Sequence, residues 1–369
     1  MKPAISTLQT VALIQSAITP TLVLAIPSVM VTIAHHDAWI SGIIAIAAGM
    51  IMALGIGLLC KANKGQLFVE WMESSFGRPI GMVIGLFIGI YYFNSFCVIV
   101  RSFADFIADI VLDSTPLFML TAIMVVVAAF TVMQGIEAIA RSAFLVLILI
   151  LLIVPVSVFV LYTDIDFKRL IPLFDTSTAR LAIASFPPIG LLSEVAVLLL
   201  INPYMKKPAS AVKAGLLGTF LGSSQLVLII LLSLTIFGQQ LVPFMSYAFV
   251  NVMAIVEVGE FLERIEIFTV SVWVLTMYVK LAVFLFAAVH CLFHSLRLRS
   301  ERHTVMGLSI LAIVTAAGEW PQDMESTFMT TLVNMPVLLI TNILLPILIA
   351  LGLLVTRGKR KQQRGGQKP

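Results

Sequence analysis

Charge is what this sequence lacks most: 11% of its 369 residues are Asp, Glu, Lys or Arg, against about a quarter in soluble domains. With 60% hydrophobic residues and a mean hydropathy of +1.07, that scarcity excludes a soluble globular domain and leaves an all-α integral membrane protein. Cysteine is equally scarce. Cys60, Cys97 and Cys291 are odd in number and far apart, with no CxxC or Cys/His spacing, so neither a disulfide framework nor a structural metal is implied. His290 and His294 stand at i, i+4 but have no carboxylate beside them, which reads as an ordinary helix end. There is no nucleophile–base pair, Walker loop, dinucleotide fingerprint or metal cluster, so neither an enzyme nor a cofactor is expected.

What is present is apolar chain in lengths that suit a bilayer. Windows of about 20 apolar residues fall at 8–33, 39–60, 79–103, 116–135, 142–162, 183–201, 211–237, 264–292, 304–319 and 334–356. This predicts ten spans in one transmembrane domain over 1–356, followed by a basic cytoplasmic tail over 357–369. Lys2 precedes the first window without a cleavage signal after a short core, so that window reads as a retained span. A cytoplasmic N-terminus puts most lysines and arginines on that side, leaving Arg101, Lys168, Arg169, Arg180 and Arg264 opposite and Lys280 inside a span. Both termini are therefore expected in the cytoplasm. The tail is expected to touch anionic lipid, and no nucleic-acid partner is expected. Two outer segments are read as short interfacial elements: 163–182, around Leu170, Ile171 and Leu173, and 243–263, where Phe249, Met253, Val256 and Phe261 alternate with acidic residues.

Ten spans divide into five and five, and the first span of each half is interrupted. Span 6 carries Pro187, Pro188 and Gly190, with Glu194 one to two turns beyond; span 1 carries Thr19-Pro20-Thr21 and then Pro27. Proline removes an amide donor and clashes with the preceding turn, so the helix is expected to open at these residues and free the carbonyls of Ile183 to Ser185. Such backbone survives at membrane depth only when it is packed in protein or lines a cavity. Interrupted helices at matching positions point to an inverted-repeat transporter fold, with repeats at about 8–162 and 183–356 and a midplane ligand site between spans 1 and 6.

Lys280 is the one basic residue well inside a span, and it shares a helical face with Trp273, Thr276 and Phe284. Its expected role is to tie down the carbonyls freed in span 1, with contact to an anionic ligand as the second reading. In span 3, Tyr92, Asn94 and Ser95 are expected to line the cavity, while Arg101 and Asp105 form a structural i, i+4 pair. Gly81, Gly85 and Gly89 predict close helix packing. The expected ligand-binding set is Thr19, Pro20, Thr21, Leu22, Asn94, Ser95, Pro187, Pro188, Gly190, Leu191, Trp273 and Thr276, with Lys280 and Glu194 as structural or proton-coupling groups.

A resemblance then attaches to particular residues. Glu263-Arg264-Ile265-Glu266 followed by Trp273 and Lys280, Pro203-Tyr204-Met205-Lys206-Lys207 after span 6, Trp320-Pro321-Gln322-Asp323 after span 9, and Thr7-Leu8-Gln9 before span 1 together resemble the B subunits of GerA-type nutrient germinant receptors of spore-forming bacteria. The resemblance covers essentially the whole chain. It implies an amino acid/polyamine/organocation-type (LeuT-like) fold in the inner membrane of the spore. It also implies that the chain senses a small nutrient such as an amino acid, in complex with a larger A subunit and a lipoprotein C subunit. A proton-coupled amino-acid permease of the same fold, with Glu194 as its protonatable group, is the competing reading. One departure stands out: relatives of this kind carry small residues in the unwound part of span 1, where this chain has Thr19-Pro20-Thr21-Leu22. Pro20 offers no amide hydrogen to a ligand carboxylate, and the hydroxyls of Thr19 and Thr21 are expected to substitute.

Overall fold

The computed structural model describes residues 5–24, 26–63, 65–110, 112, 114–255, 265–318 and 335–365, excepting the side chains of 265–267 and 356–365. In chain order the helices are α1 (Thr7–Leu24), α2 (Ile26–Ala34), α3 (Ala38–Asn63), α4 (Phe68–Phe76), α5 (Arg78–Ile110), α6 (Leu117–Met133), α7 (Ile136–Val160), α8 (Thr178–Leu192), α9 (Leu198–Ile201), α10 (Ala211–Phe237), α11 (Ala248–Ala254), α12 (Ile265–Leu296), α13 (Glu301–Gly318) and α14 (Met335–Val355). Among the described residues, each of the ten expected windows falls on helical chain. Only eight stretches among the described residues are long and apolar enough to count as spans by length and composition, α6 being a shorter apolar helix of 17 residues.

Helices equivalent under a five-span offset pack against each other. α1 meets α8, α3 meets α10, α5 meets α12, and α6 meets α13. The short helices obey the same relation, since α4 joins the second and third spans and α11 joins the seventh and eighth, at opposite ends of the bundle. Side-chain burial sorts core from periphery: 83% of the apolar window of α12 and 78% of that of α1 are buried, against 28% for the span containing α7. The first, sixth and eighth spans are therefore the ones shielded from lipid.

Small residues set the closest approaches. A Cβ on Gly57 of α3 would meet the Val212 backbone at 2.6 Å, and one on Gly81 would meet the Glu73 backbone at 2.4 Å. Side chains of that size are excluded where helix backbones touch. The expected packing role of Gly81, Gly85 and Gly89 follows, since all three press α5 onto α4 or α12. Gly77 has φ +92° where α4 gives way to α5, a backbone angle that L-residues rarely adopt.

The outer segments depart from expectation in one case. Residues 163–182 form two 3-10 turns, Leu161–Asp164 and Phe167–Leu170, and then the start of α8, with no interfacial α-helix. Hydrogen bonds from the strongly buried Asp37 explain the irregular course, because its carboxylate accepts from Phe174 N and Thr176 N, both at 2.9 Å. Phe174 also packs edge-on against Trp39. The second segment does form a helix, α11, which buries Phe249 and Met253. Tyr247 before it donates to Asp109 at 3.1 Å, and burial first, then that carboxylate, pushes its phenol above the usual range. Val256, Glu257, Glu260, Phe261, Glu263, Arg264 and Trp320 to Asp323 lie outside the described residues, as do the side chain of Glu266 and those of the basic tail.

Candidate ligand site at the junction of spans 1, 6 and 8

In the first span α1 runs through Pro20 without opening at Thr19-Pro20-Thr21, contrary to expectation. In the sixth span α8 likewise runs through Pro187 and Pro188, and the chain tightens into a 3-10 turn only at Ser193–Val197 before α9. The interruption of the sixth span is thus present but displaced from the prolines. A proline's fixed φ is compatible with helix, and neighbouring groups in membrane bundles take up the carbonyls it leaves. Next to the carbonyls those prolines leave, Ser185 Oγ donates to Ala182 O at 2.8 Å, and further on Ser193 Oγ donates to Gly190 O at 2.5 Å where the helix changes type.

Glu194 sits in that 3-10 turn and Lys280 on the facing side of α12. Lys280 Nζ donates to Glu194 Oε2 at 2.7 Å and to Thr21 Oγ1 at 2.7 Å, and Lys280 is completely buried. Its ammonium also lies 5.1 Å from the centre of the Phe284 ring. A lone lysine at bilayer depth costs roughly 2.5 to 3.5 kcal/mol on insertion scales, so a facing carboxylate is the expected solution. The tie to span 1 passes through the Thr21 hydroxyl, and the freed carbonyls expected to hold it are not used. A second tie does use a carbonyl: Trp273 Nε1 donates to Pro20 O at 3.0 Å. The eighth span thereby holds the first and sixth spans at once.

The other expected residues divide. Thr19 is buried, and its hydroxyl donates to Gln15 O and accepts from Gln15 Nε2, so it serves α1. Leu22 is fully buried core. Pro187 and Pro188 are buried and Leu191 half-buried. Gly190 faces Met335, whose Sδ would lie 2.3 Å from an added Cβ, so it is a packing contact in place of a cavity wall. Asn94 is exposed on the outside of α5 and Ser95 is half-buried near Tyr91. The reason is helical phase: Phe96 and Tyr92 take the inward face, which turns Asn94 away. Arg101 and Asp105 form the expected pair at 2.9 Å, and Arg101 also reaches Ala316 O at 3.3 Å.

Two cavities flank the lysine. The larger lies at the α11 end between α1, α7, α10, α11 and α12. Thr19, Trp273 and Thr276 are among its lining residues, and its other walls come from α11 and the fifth and seventh spans, not from the third and sixth. The smaller lies at the α4 end, where Phe68, Tyr92, Ala196 and a π-helical turn of α14, Ile340–Leu344, meet. That turn places Asn342 Nδ2 at 2.7 Å from the Tyr91 hydroxyl. Tyr91 stacks edge-on with Tyr92, and Tyr92 with Phe284, so ring contacts lead from the π turn to Lys280. Asn342 was open to sequence reasoning as a lone amide in an apolar span. The walls of α7 carried no such signal.

The relatives agree with this architecture. The chain is similar to spore germination protein KB of Bacillus subtilis, 21% identical over 70% of each chain, and to spore germination protein B2 of the same organism, 21% identical over 87% of this chain and 88% of the relative. Among solved structures it resembles Mhp1, a nucleobase-cation-symport-1 family transporter in a closed conformation with bromovinylhydantoin bound. The TM-score there is 0.62 at 14% identity, covering 92% of this chain and 78% of that one. That likeness establishes a LeuT-type transporter fold. Residues 4–324 match the spore germination protein (spore permease) family, and the chain belongs to it.

Proposed function

We propose that this chain is the nutrient-sensing membrane subunit of a spore germination receptor, lying in the inner membrane of the spore with both termini on the core side. Its ligand is a small molecule, an amino acid in the first instance, bound where spans 1, 6 and 8 meet. The observation that carries this reading is Lys280, buried and shared between Thr21 on the first span and Glu194 in the 3-10 turn of the sixth. A zwitterion fits such a pair. Its carboxylate replaces Glu194 on the lysine and its ammonium takes the released glutamate, so binding separates the first and sixth spans without stranding a charge. A ligand shifts two states only through its difference in affinity for them, and this exchange supplies one. The larger A subunit and the lipoprotein C subunit are the partners that would receive the shift.

The test is the germination response of spores carrying Glu194→Gln or Lys280→Ala at normal protein levels. Loss of response to single amino acids is expected; an unchanged dose-response would overturn the proposal. The second reading, a proton-coupled permease, draws support from the fold shared with a symporter. Counterflow of labelled amino acid into proteoliposomes separates the two, because robust uptake abolished by Glu194→Gln would make the chain a carrier.

A further inference from the structure

The larger cavity has a chemistry of its own. Each wall is one helical stripe: Ile150, Ile153, Val154, Ser157 and Val158 on α7; Gln225, Leu228, Ile229 and Leu232 on α10; Thr269, Val272, Trp273 and Thr276 on α12. Among the described residues no Asp, Glu, Lys, Arg or His lines it. The few polar groups are largely engaged. Thr19 is bonded to Gln15, Thr276 Oγ1 donates to Val272 O at 2.8 Å, Ser157 and Thr269 share a hydroxyl contact at 3.4 Å, and Gln225 Nε2 turns back to Leu221 O at 3.2 Å.

A carboxylate or ammonium placed here would lose its water and meet no counter-charge among the described lining residues, a penalty that apolar contact does not restore. Lys280 and Glu194 neutralise each other outside the lining. An alkyl group meets no such penalty, and each buried methylene adds to its binding. We infer that this cavity is a second site, separate from the charged junction, which binds an uncharged alkyl chain carrying at most one hydroxyl group, for which the Gln225 carbonyl oxygen is the available acceptor. The chain has two sources, a dissolved aliphatic molecule or the acyl tail of a membrane lipid. Either one would press on Thr19 and Val23 of α1 and on Trp273, the residue that grips Pro20. Occupancy therefore modulates the first span without touching the lysine.

Trp273 reports on the site directly. In the full-length protein in lipid nanodiscs, with Trp39, Trp71 and Trp320 changed to Phe, 1-bromohexane should quench Trp273 fluorescence with saturation. Val154→Phe and Leu228→Phe, which fill the cavity from opposite walls, should each weaken that quenching at least threefold. 1-Hexanol should compete and 6-aminohexanoate should not. Acyl-brominated lipids separate the sources: quenching that is lost in Val154→Phe identifies the lipid tail as an occupant, and quenching seen only with 1-bromohexane identifies a dissolved one. Quenching that rises linearly with either bromide and is the same in both filled variants, or equal competition by 6-aminohexanoate, would overturn the inference. Agreement between the two variants guards against misfolding of one.

Discussion

The two ends of the bundle are built from equivalent parts and closed by different chemistry. At the α11 end the fifth and eighth spans meet through two hydroxyls, Ser157 and Thr269, at 3.4 Å. At the α4 end the tenth and third spans meet through an amide and a phenol, Asn342 and Tyr91, at 2.7 Å. The first distance is at the edge of hydrogen bonding and the second is near its optimum. The cavities follow suit, the larger at the loose end and the smaller at the tight one. Similar helix pairs frame both ends, while individual side chains decide which end is held shut.

The strongest way to break this comparison is to remove what lies between the ends. Lys280→Ala leaves Glu194 buried without its partner, and losing one member of such a pair costs about 3–5 kcal/mol; thermal unfolding of the purified protein in detergent should show the largest drop of any variant considered. The double change Lys280→Met with Glu194→Leu should recover most of that stability and none of the germination response. Recovery of the response would show that the charges serve folding alone.

Tyr91→Phe tests the tight end. It strips the acceptor from the buried Asn342 amide, at about 1–3 kcal/mol, and a cysteine introduced at Ala196 should react faster with thiol reagents as the α4-end cavity loosens. Trp273→Phe removes one hydrogen bond to Pro20 O, a net loss of about 0.5–1.5 kcal/mol. Its signature should be a raised ligand concentration for half-maximal response at little change in unfolding temperature. Ser157→Ala sharpens the contrast from the other side: at 3.4 Å its hydroxyl contact contributes little, and a shift within about 0.5 kcal/mol is expected. A Ser157→Ala loss as large as that of Tyr91→Phe would erase the distinction between the ends.

The all-helical membrane fold was legible because hydropathy marks membrane crossings directly, and among the described residues the expected windows fall on helix. Lys280, Glu194, Thr21 and Trp273 also stood out singly, since polar groups in apolar spans need partners. Their mutual contact did not, because Lys280 and Glu194 are 86 residues apart and each had several plausible partners. The prolines misplaced the interruption of the sixth span by several residues. They record a missing donor, whereas the change of helix type comes at Ser193, whose hydroxyl donates to Gly190 O. The α7 wall stayed invisible for a different reason: a helix apolar on every side gives no phase, so its inward stripe cannot be told from its lipid-facing one.

One stitch near the start of the chain sets the geometry of any motion. Ile5 donates to Tyr204 O at 2.8 Å and accepts from Lys206 N at 2.9 Å, fastening the foot of the first span to the foot of the sixth. Two rods pinned at one tip behave like scissor blades: a small turn at the pivot becomes a wide spread at the far tips. The Lys280 bridge sits partway along those blades, and the roomier void lies toward the tips, so releasing the bridge opens the bundle from the side that is already less firmly shut.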